Sequence, residues 1–432
     1  MDALALPSAR TEWRRSWKLV LAAAVGFSFM SMMTSAQGLF MGPLQDAFGW
    51  SRTLLSMGSA IGATCSLLLS PVFGVLIDRY GSRRLALPGL ILTALLIAAF
   101  SLLDGSTTQW IALWVCFALV SNAIHATTWT TAVSGMFDRS RGLALGLTLS
   151  GSALALAVVP PLTNWLITNF GWRAAFVWLG LGWGGLAFVL SMLFLFDARD
   201  LRRTVGRTAN RPLEATLPLP GLTVRDALKD WALWRIAIAT FLTLTITVGI
   251  TVHQFPILVD VGVSRANAAL LASMAGVAGI VGKLTTGALL DRYHVRWVGG
   301  VTLASTAVAY PLLLDAVRTP LLIVVAMMIN GYAAGTKMQL CGYLTTRYAG
   351  MRNYGTIYGF MSSLIALSGG LGPLLAGLTF DTFGGYGPFL VAGAAISLVS
   401  GLLVFSLKAY PRWDPLESTA SATPTTTGGR AQ

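Results

Sequence analysis

Gly74-Val75-Leu76-Ile77-Asp78-Arg79-Tyr80 returns 213 residues later as Gly287-Ala288-Leu289-Leu290-Asp291-Arg292-Tyr293. In each copy a run of more than 20 mostly apolar residues ends in an Asp-Arg step. A helix that leaves a bilayer at a polar loop reads this way. The same offset pairs Pro43 with Pro256, Gly49 with Gly262 and Ser51-Arg52 with Ser264-Arg265. It also pairs Arg139 with Arg352, Gly146 with Gly359, Pro160 with Pro373 and Phe170-Gly171 with Phe383-Gly384. One spacing holds from the first apolar segment to the sixth, so the chain is two copies of one unit. Six segments return the chain to its starting side. The repeat is therefore parallel, with a pseudo-two-fold axis along the membrane normal and a central path between the copies.

Composition agrees. Of 432 residues, 55% are hydrophobic and only 11% charged, where a soluble domain carries roughly a quarter charged. Such a chain cannot cover a globule with polar surface, but it can face lipid. Twelve spans are expected, at about 17–41, 53–77, 85–103, 108–136, 142–168, 172–196, 232–258, 266–290, 297–314, 319–346, 354–380 and 386–407. They form an N-terminal six-helix bundle over 17–196 and a C-terminal one over 232–408, preceded by a tail at 1–16. Between them, 197–231 holds an Arg- and Pro-rich linker with a short amphipathic helix near 222–230; 409–432 reads as a disordered tail. The first apolar run continues to Met41, too long for a signal peptide core, so an uncleaved helix is expected.

The charges set the orientation. With the N-terminus in the cytoplasm, 24 of the 30 Lys and Arg fall on the inner side. Arg52, Arg173, Arg265 and Arg318 fall outside, and Lys283 and Lys337 within spans. This bias places both termini and the linker in the cytoplasm of an inner or plasma membrane. It also accounts for the net charge of +13 without nucleic acid. Cys65, Cys116 and Cys341 lie in apolar segments without metal-like spacing and read as packing residues. No metal and no cofactor is expected.

Gly74-x-x-x-Asp78-Arg79-Tyr80-Gly81-Ser82-Arg83-Arg84 resembles the signature loop of the major facilitator superfamily, G-x-x-x-D-R-x-G-R-R. The second copy is degenerate, with His294 in the place of Gly81. Within that superfamily, Phe137-Asp138-Arg139-Ser140-Arg141-Gly142-Leu143-Ala144-Leu145-Gly146 is similar to the fifth-helix motif of the monocarboxylate-porter and oxalate/formate-antiporter group. Phe48-Gly49-Trp50-Ser51-Arg52, Gly171-Trp172-Arg173-Ala174-Ala175-Phe176, His253-Gln254-Phe255-Pro256 and Arg347-Tyr348-Ala349-Gly350 also look like that group. The resemblance implies an all-α membrane fold of two six-helix bundles. It also implies a conformational latch drawn from Gly74, Asp78, Arg79, Gly81, Arg83, Arg84, Arg139, Arg141, Asp291 and Arg292. Porters of this group often carry an Asp–Arg pair on the eighth helix, and Lys283 falls near the cation; Gly279 stands where the acid would be.

By the same span boundaries no Asp or Glu lies at mid-membrane, but two lysines do. An ionised side chain at that depth costs about 3 kcal/mol or more unless it faces a polar path and a partner. Without a carboxylate, a bound anion is the natural counter-charge. Lys283 stands eight residues before Asp291, about 12 Å from the helix end at 1.5 Å per residue; Lys337 stands at similar depth before Arg347. The expected substrate site is Lys283 and Lys337 with His125, His253, Asn122, Trp129, Tyr332 and Gln339. Helical spacing puts Asn122, His125 and Trp129 (i, i+3, i+7) on one face of the fourth span.

The expected function is secondary active transport of a small organic anion, a monocarboxylate, by alternating access in a monomer. A proton or counter-anion supplies the coupling. There is no phosphate-binding loop and no nucleophile or metal constellation, so no enzyme is expected. The rivals are an exporter of drug-like compounds, which cavity acids would favour, and a non-transporting sensor, which a large soluble domain would favour.

Overall fold

The computed structural model describes residues 9–137, 140–196, 221–314, 319–350 and 352–411. The expected linker at 197–220, the tail at 412–432 and residues 1–8 lie outside them. The described chain is helical. Its N-terminal half has α1 (Ala9–Phe48), α2 (Arg52–Tyr80), α3 (Ser82–Ala99), α4 (Thr107–Ser121), α5 (Ala126–Ser134), α6 (Arg141–Leu149), α7 (Gly151–Val177) and α8 (Gly184–Phe194). The C-terminal half has α9 (Val224–Lys229), α10 (Trp231–Asp260), α11 (Arg265–Arg292), α12 (Val295–Ala309), α13 (Pro320–Ala349), α14 (Tyr354–Phe383) and α15 (Gly387–Phe405).

Ten helical runs are long and apolar enough to span a bilayer, and one of them, Leu143–Phe194, holds two spans. Gly171, at φ 81°, divides it. Val295–Ala309, extended by a turn at Pro311–Leu313, supplies the ninth span of twelve. The two-bundle fold matches expectation.

The repeated glycines have a backbone cause. Gly49 and Gly262 end α1 and α10 at φ 69° and 90°, and Gly171 and Gly384 take 81° and 72°. An L side chain is strained there, so these positions stay glycine in both copies. Ser51 and Ser264 follow as N-caps, accepting from Leu54 and Asn267 amides. The signature loop turns at Gly81, φ 90°. In the second copy His294 sits at φ −64° and caps α12 instead, so the glycine is dispensable there.

One expectation is extended and one needs correction. The first span, expected at about 17–41, lies inside a longer helix, Ala9–Phe48; Glu12 anchors its added turns by accepting from the Ser140 amide and hydroxyl (3.2 and 2.8 Å). The fourth span is not one helix. A 3-10 turn at Asn122–Ile124 and an extended His125 (ψ 167°) break it between α4 and α5.

The halves meet through small residues, as helices in lipid do. A Cβ on Gly38 of α1 would lie 2.2 Å from the Val252 carbonyl of α10. One on Gly377 of α14 would lie 2.7 Å from the Arg52 carbonyl of α2, and one on Gly276 of α11 2.8 Å from the Ala157 amide of α7. Ser273 adds a hydrogen bond to the Ala157 carbonyl. On α2 and α14 these contacts gather at the Arg52 end. Toward the Asp78 end, Gly74, Gly146 and Gly359 have open space beside their Cα atoms.

Candidate functional site

Lys283 projects from the middle of α11 and is half-buried. Among the described residues no hydrogen bond or ion pair reaches its ammonium. Thr286 and Gly287 follow on the same helix face. Thr286 hydrogen-bonds the Tyr332 hydroxyl of α13 (2.9 Å), and a Cβ on Gly287 would lie 3.4 Å from the Gln339 amide nitrogen. The sequence-predicted Tyr332 and Gln339 thus share a surface with the Lys283 face, and Gln339 is exposed. Close crossing holds this surface together: a Cβ on Gly335 would lie 2.1 Å from the Gly279 carbonyl. A carboxylate at 279 would push into the α13 backbone, since its Cβ alone would stand 3.1 Å from the Gly331 carbonyl.

Lys337 does not join this surface. It is 1% exposed and donates to Thr247 of α10 (2.6 Å) and Thr306 of α12 (3.1 Å), inside the C-terminal bundle. The structure places the two lysines in different surroundings: Lys337 lies in the bundle core while Gln339, two residues on, is exposed.

The break in the fourth span dissolves the expected Asn122–His125–Trp129 face. Asn122 is buried, with its amide donating to the Ala118 carbonyl (2.7 Å). Trp129 is fully buried, donates to the Ile124 carbonyl (2.8 Å), and occupies the space beside Gly26 of α1. His125, half-buried, opens α5 without a side-chain cap bond.

His253 belongs to a lock at the Arg52 end. The Arg52 guanidinium forks onto Asp260 (2.7 and 3.1 Å), donates to the Tyr386 hydroxyl (2.8 Å), and lies 3.5 Å over the Phe380 ring. The Arg52 and Thr53 amides donate to the Asp381 carboxylate (3.0 and 2.7 Å). His253, wholly buried, links Tyr386 (Nδ1, 2.7 Å) with Ser56 and the Pro373 carbonyl (Nε2, 2.9 and 3.0 Å). A proline carbonyl only accepts, so the network assigns the ring proton to Nε2 and makes Nδ1 the acceptor from Tyr386. Arg52 is 8% exposed, and the pair is fixed by a fork and an aromatic face rather than free at a surface. Gln37 sits beside this network, bound to Ser59 and the Leu55 carbonyl.

Of the expected latch, Arg83 is engaged: it donates to the Met192 and Leu195 carbonyls (2.7 and 3.2 Å) at the end of α8 and covers the Phe196 ring. It therefore caps a helix of its own bundle. Arg79 stacks on Tyr80, and Arg84 and Arg292 are exposed. Arg139 and the side chains of Asp78, Arg141 and Asp291 lie outside the described set.

Sequence reading missed Thr286 and the partners of Arg52. The paired Ser-Arg steps at 51–52 and 264–265 were a visible signal for a special arginine. Nothing local pointed to acids 208 and 329 residues away.

The sequence profile of the Major Facilitator Superfamily matches residues 22–259 and 246–430. Monocarboxylate transporter 13 of Bos taurus is 28% identical over 410 residues, covering 90% of this chain and 88% of that protein. Monocarboxylate transporter 12 of Homo sapiens is 25% identical over 374 residues, covering 79% and 71%. Monocarboxylate transporter 2 of Meriones unguiculatus is 23% identical over 419 residues, covering 90% and 83%. The fold is shared with a bacterial homolog of the human lysosomal transporter Spinster in an inward-facing, unoccupied conformation. The TM-score there is 0.71 at 16% identity, over 92% of this chain and 97% of that one. With the repeat, the signature loop and the two bundles already in place, these matches settle the class: the chain belongs to the Major Facilitator Superfamily.

Proposed function

We propose that this transporter moves a small organic anion, a monocarboxylate, across an inner or plasma membrane by alternating access. The observation that carries the reading is Lys283: a half-buried ammonium at mid-helix with no carboxylate partner among the described residues. A substrate carboxylate supplies the missing counter-charge, and Thr286, Tyr332 and Gln339 line the same face to orient it. The similarity to monocarboxylate transporters supports the substrate class.

The positive-inside count supports cytoplasmic termini, which makes the Arg52 end the outer one. Closed there by the Arg52–Asp260 pair and by Gly377 packed on the Arg52 carbonyl, the protein then faces inward. Opening the other way breaks the Arg52–Asp260 pair and closes the Asp78 end. With no nucleotide site in the sequence, an ion or anion gradient supplies the energy.

Purified protein in proteoliposomes takes up labelled lactate, pyruvate, oxalate or formate on this reading, and Lys283→Ala raises KM by tenfold or more. A folded Lys283→Ala protein with wild-type KM for the transported acid would remove the site.

A further inference from the structure

We propose that Arg52 is also the outer capture site for the substrate's carboxylate, with Asp260 as its built-in stand-in. This rests on the monocarboxylate reading above. The lock divides its charges by half. The N-terminal half contributes the guanidinium, from α2. The C-terminal half contributes the Asp260 carboxylate, from the end of α10, and the Asp381 carboxylate, from α14. When the halves part at this end, both carboxylates leave with the C-terminal half.

What remains on the N-terminal half is a receptor already shaped for a carboxylate. The Arg52 Nη1 and Nη2 groups present the fork that Asp260 fills at 2.7 and 3.1 Å. Its Nε is steadied by Gln45 on α1 (3.2 Å), a residue of the same half that travels with it. The guanidinium therefore keeps its aim after Asp260 has gone. Asp260 and a monocarboxylate present the same two oxygens to the same donors, so each excludes the other. Substrate at Arg52 holds the outer end open, and its passage inward to Lys283 frees Arg52 to recover Asp260 and close.

A simple lock and a capture site differ in sign. Removing either partner of a simple lock favours the outward-open state and lowers KM for external substrate, and removing Arg52, which also holds Tyr386 and Phe380, lowers it at least as far as removing Asp260. A capture site reverses that order, because Asp260→Asn leaves the receptor intact and Arg52→Gln removes it. The experiment measures KM separately from each face in proteoliposomes of determined sidedness, with the labelled carboxylate the wild type moves best.

At the outer face the Arg52→Gln value should exceed the Asp260→Asn value by about tenfold, the worth of one 1.4 kcal/mol contact. At the inner face the two should agree within about twofold, which also shows that both proteins are folded. Arg52→Lys, charged but without the fork, should fall between them; it replaces Arg52→Gln if that protein does not assemble. Outer-face values that agree within twofold overturn the capture role alone. A wild type that moves no carboxylate overturns the substrate reading, and this inference with it.

Discussion

Replacing Lys337 with methionine should leave transport intact, although the residue is a buried cation in the membrane. Its amine donates to Thr247 and Thr306. Both threonines have other acceptors for their own protons: Thr247 donates to the Thr243 carbonyl (2.7 Å) and Thr306 to Ser397 (2.9 Å). Taking the amine away strands no donor. Two hydrogen bonds from a charged donor are lost, about 1.5–2 kcal/mol each. Against that stands the relief of a charge buried without a carboxylate, worth several kcal/mol. Methionine has a similar unbranched reach and fills the space. Lys337→Met should therefore melt no lower than wild type and keep KM within twofold. Lys337→Ala leaves a void costing about 2–5 kcal/mol; it should melt several degrees lower with the same KM in the folded fraction. Lys283→Met should do the reverse, with melting unchanged and KM raised tenfold or more. Melting is followed by the detergent-soluble fraction on size exclusion, and KM by labelled uptake. A tenfold KM increase in Lys337→Met with an unchanged melting curve would refute the placement of Lys337 outside the substrate path.

Three more expectations are open to direct measurement. Asp260→Asn should weaken the Arg52 end, so a cysteine at Ser56, now fully buried, should react several-fold faster with an external impermeant maleimide in a background without Cys65, Cys116 and Cys341; equal rates would mean the pair does not hold the closure. Gly279→Asp, which would supply the acid usual in related porters, should lower the melting temperature because its Cβ meets the Gly331 carbonyl at 3.1 Å; a more stable protein would contradict the close crossing of α11 and α13. In the turn after α11, burial first, then Arg296 and Arg347, holds His294 below the ordinary imidazole value. A depressed histidine contributes stability that is present above its unfolded value, about 6.5, and is lost as pH falls below it. The Val295 amide, bound to the Tyr410 hydroxyl at 2.9 Å, should then exchange faster in acid than intrinsic rates explain, and His294→Asn should flatten that dependence; an unchanged pH profile would exclude His294 as the cause.

The architecture was legible because its signals are local. Apolar run length, loop charge and glycines forced to positive φ repeat at one offset, and each acts within a few residues. The face a side chain takes is different. Lys283 and Lys337 look alike in sequence, yet one ammonium has no partner among the described residues and the other bonds Thr247 and Thr306 inside the bundle. The break at His125 was illegible for a related reason. Asn122-Ala123-Ile124-His125-Ala126 contains no proline or glycine, and its interruption comes from packing, with Gly89 of α3 lying against Ala123 and Ile124. The lock joins α2, α10 and α14, three helices far apart in the chain, which no pattern of spacing encodes.

Sharing the lock between the halves has a consequence for how the molecule is assembled. An N-terminal bundle made first carries an arginine at its far end that has nothing to neutralise it until α10 and α14 are threaded. The later bundle likewise carries two acids awaiting a cation and a pair of amides. Each half is thus an incomplete electrostatic object that its sibling completes. Cutting the chain in the linker and producing the pieces separately should still leave a pair that recognises its own complement in the bilayer and rejects two copies of the same piece.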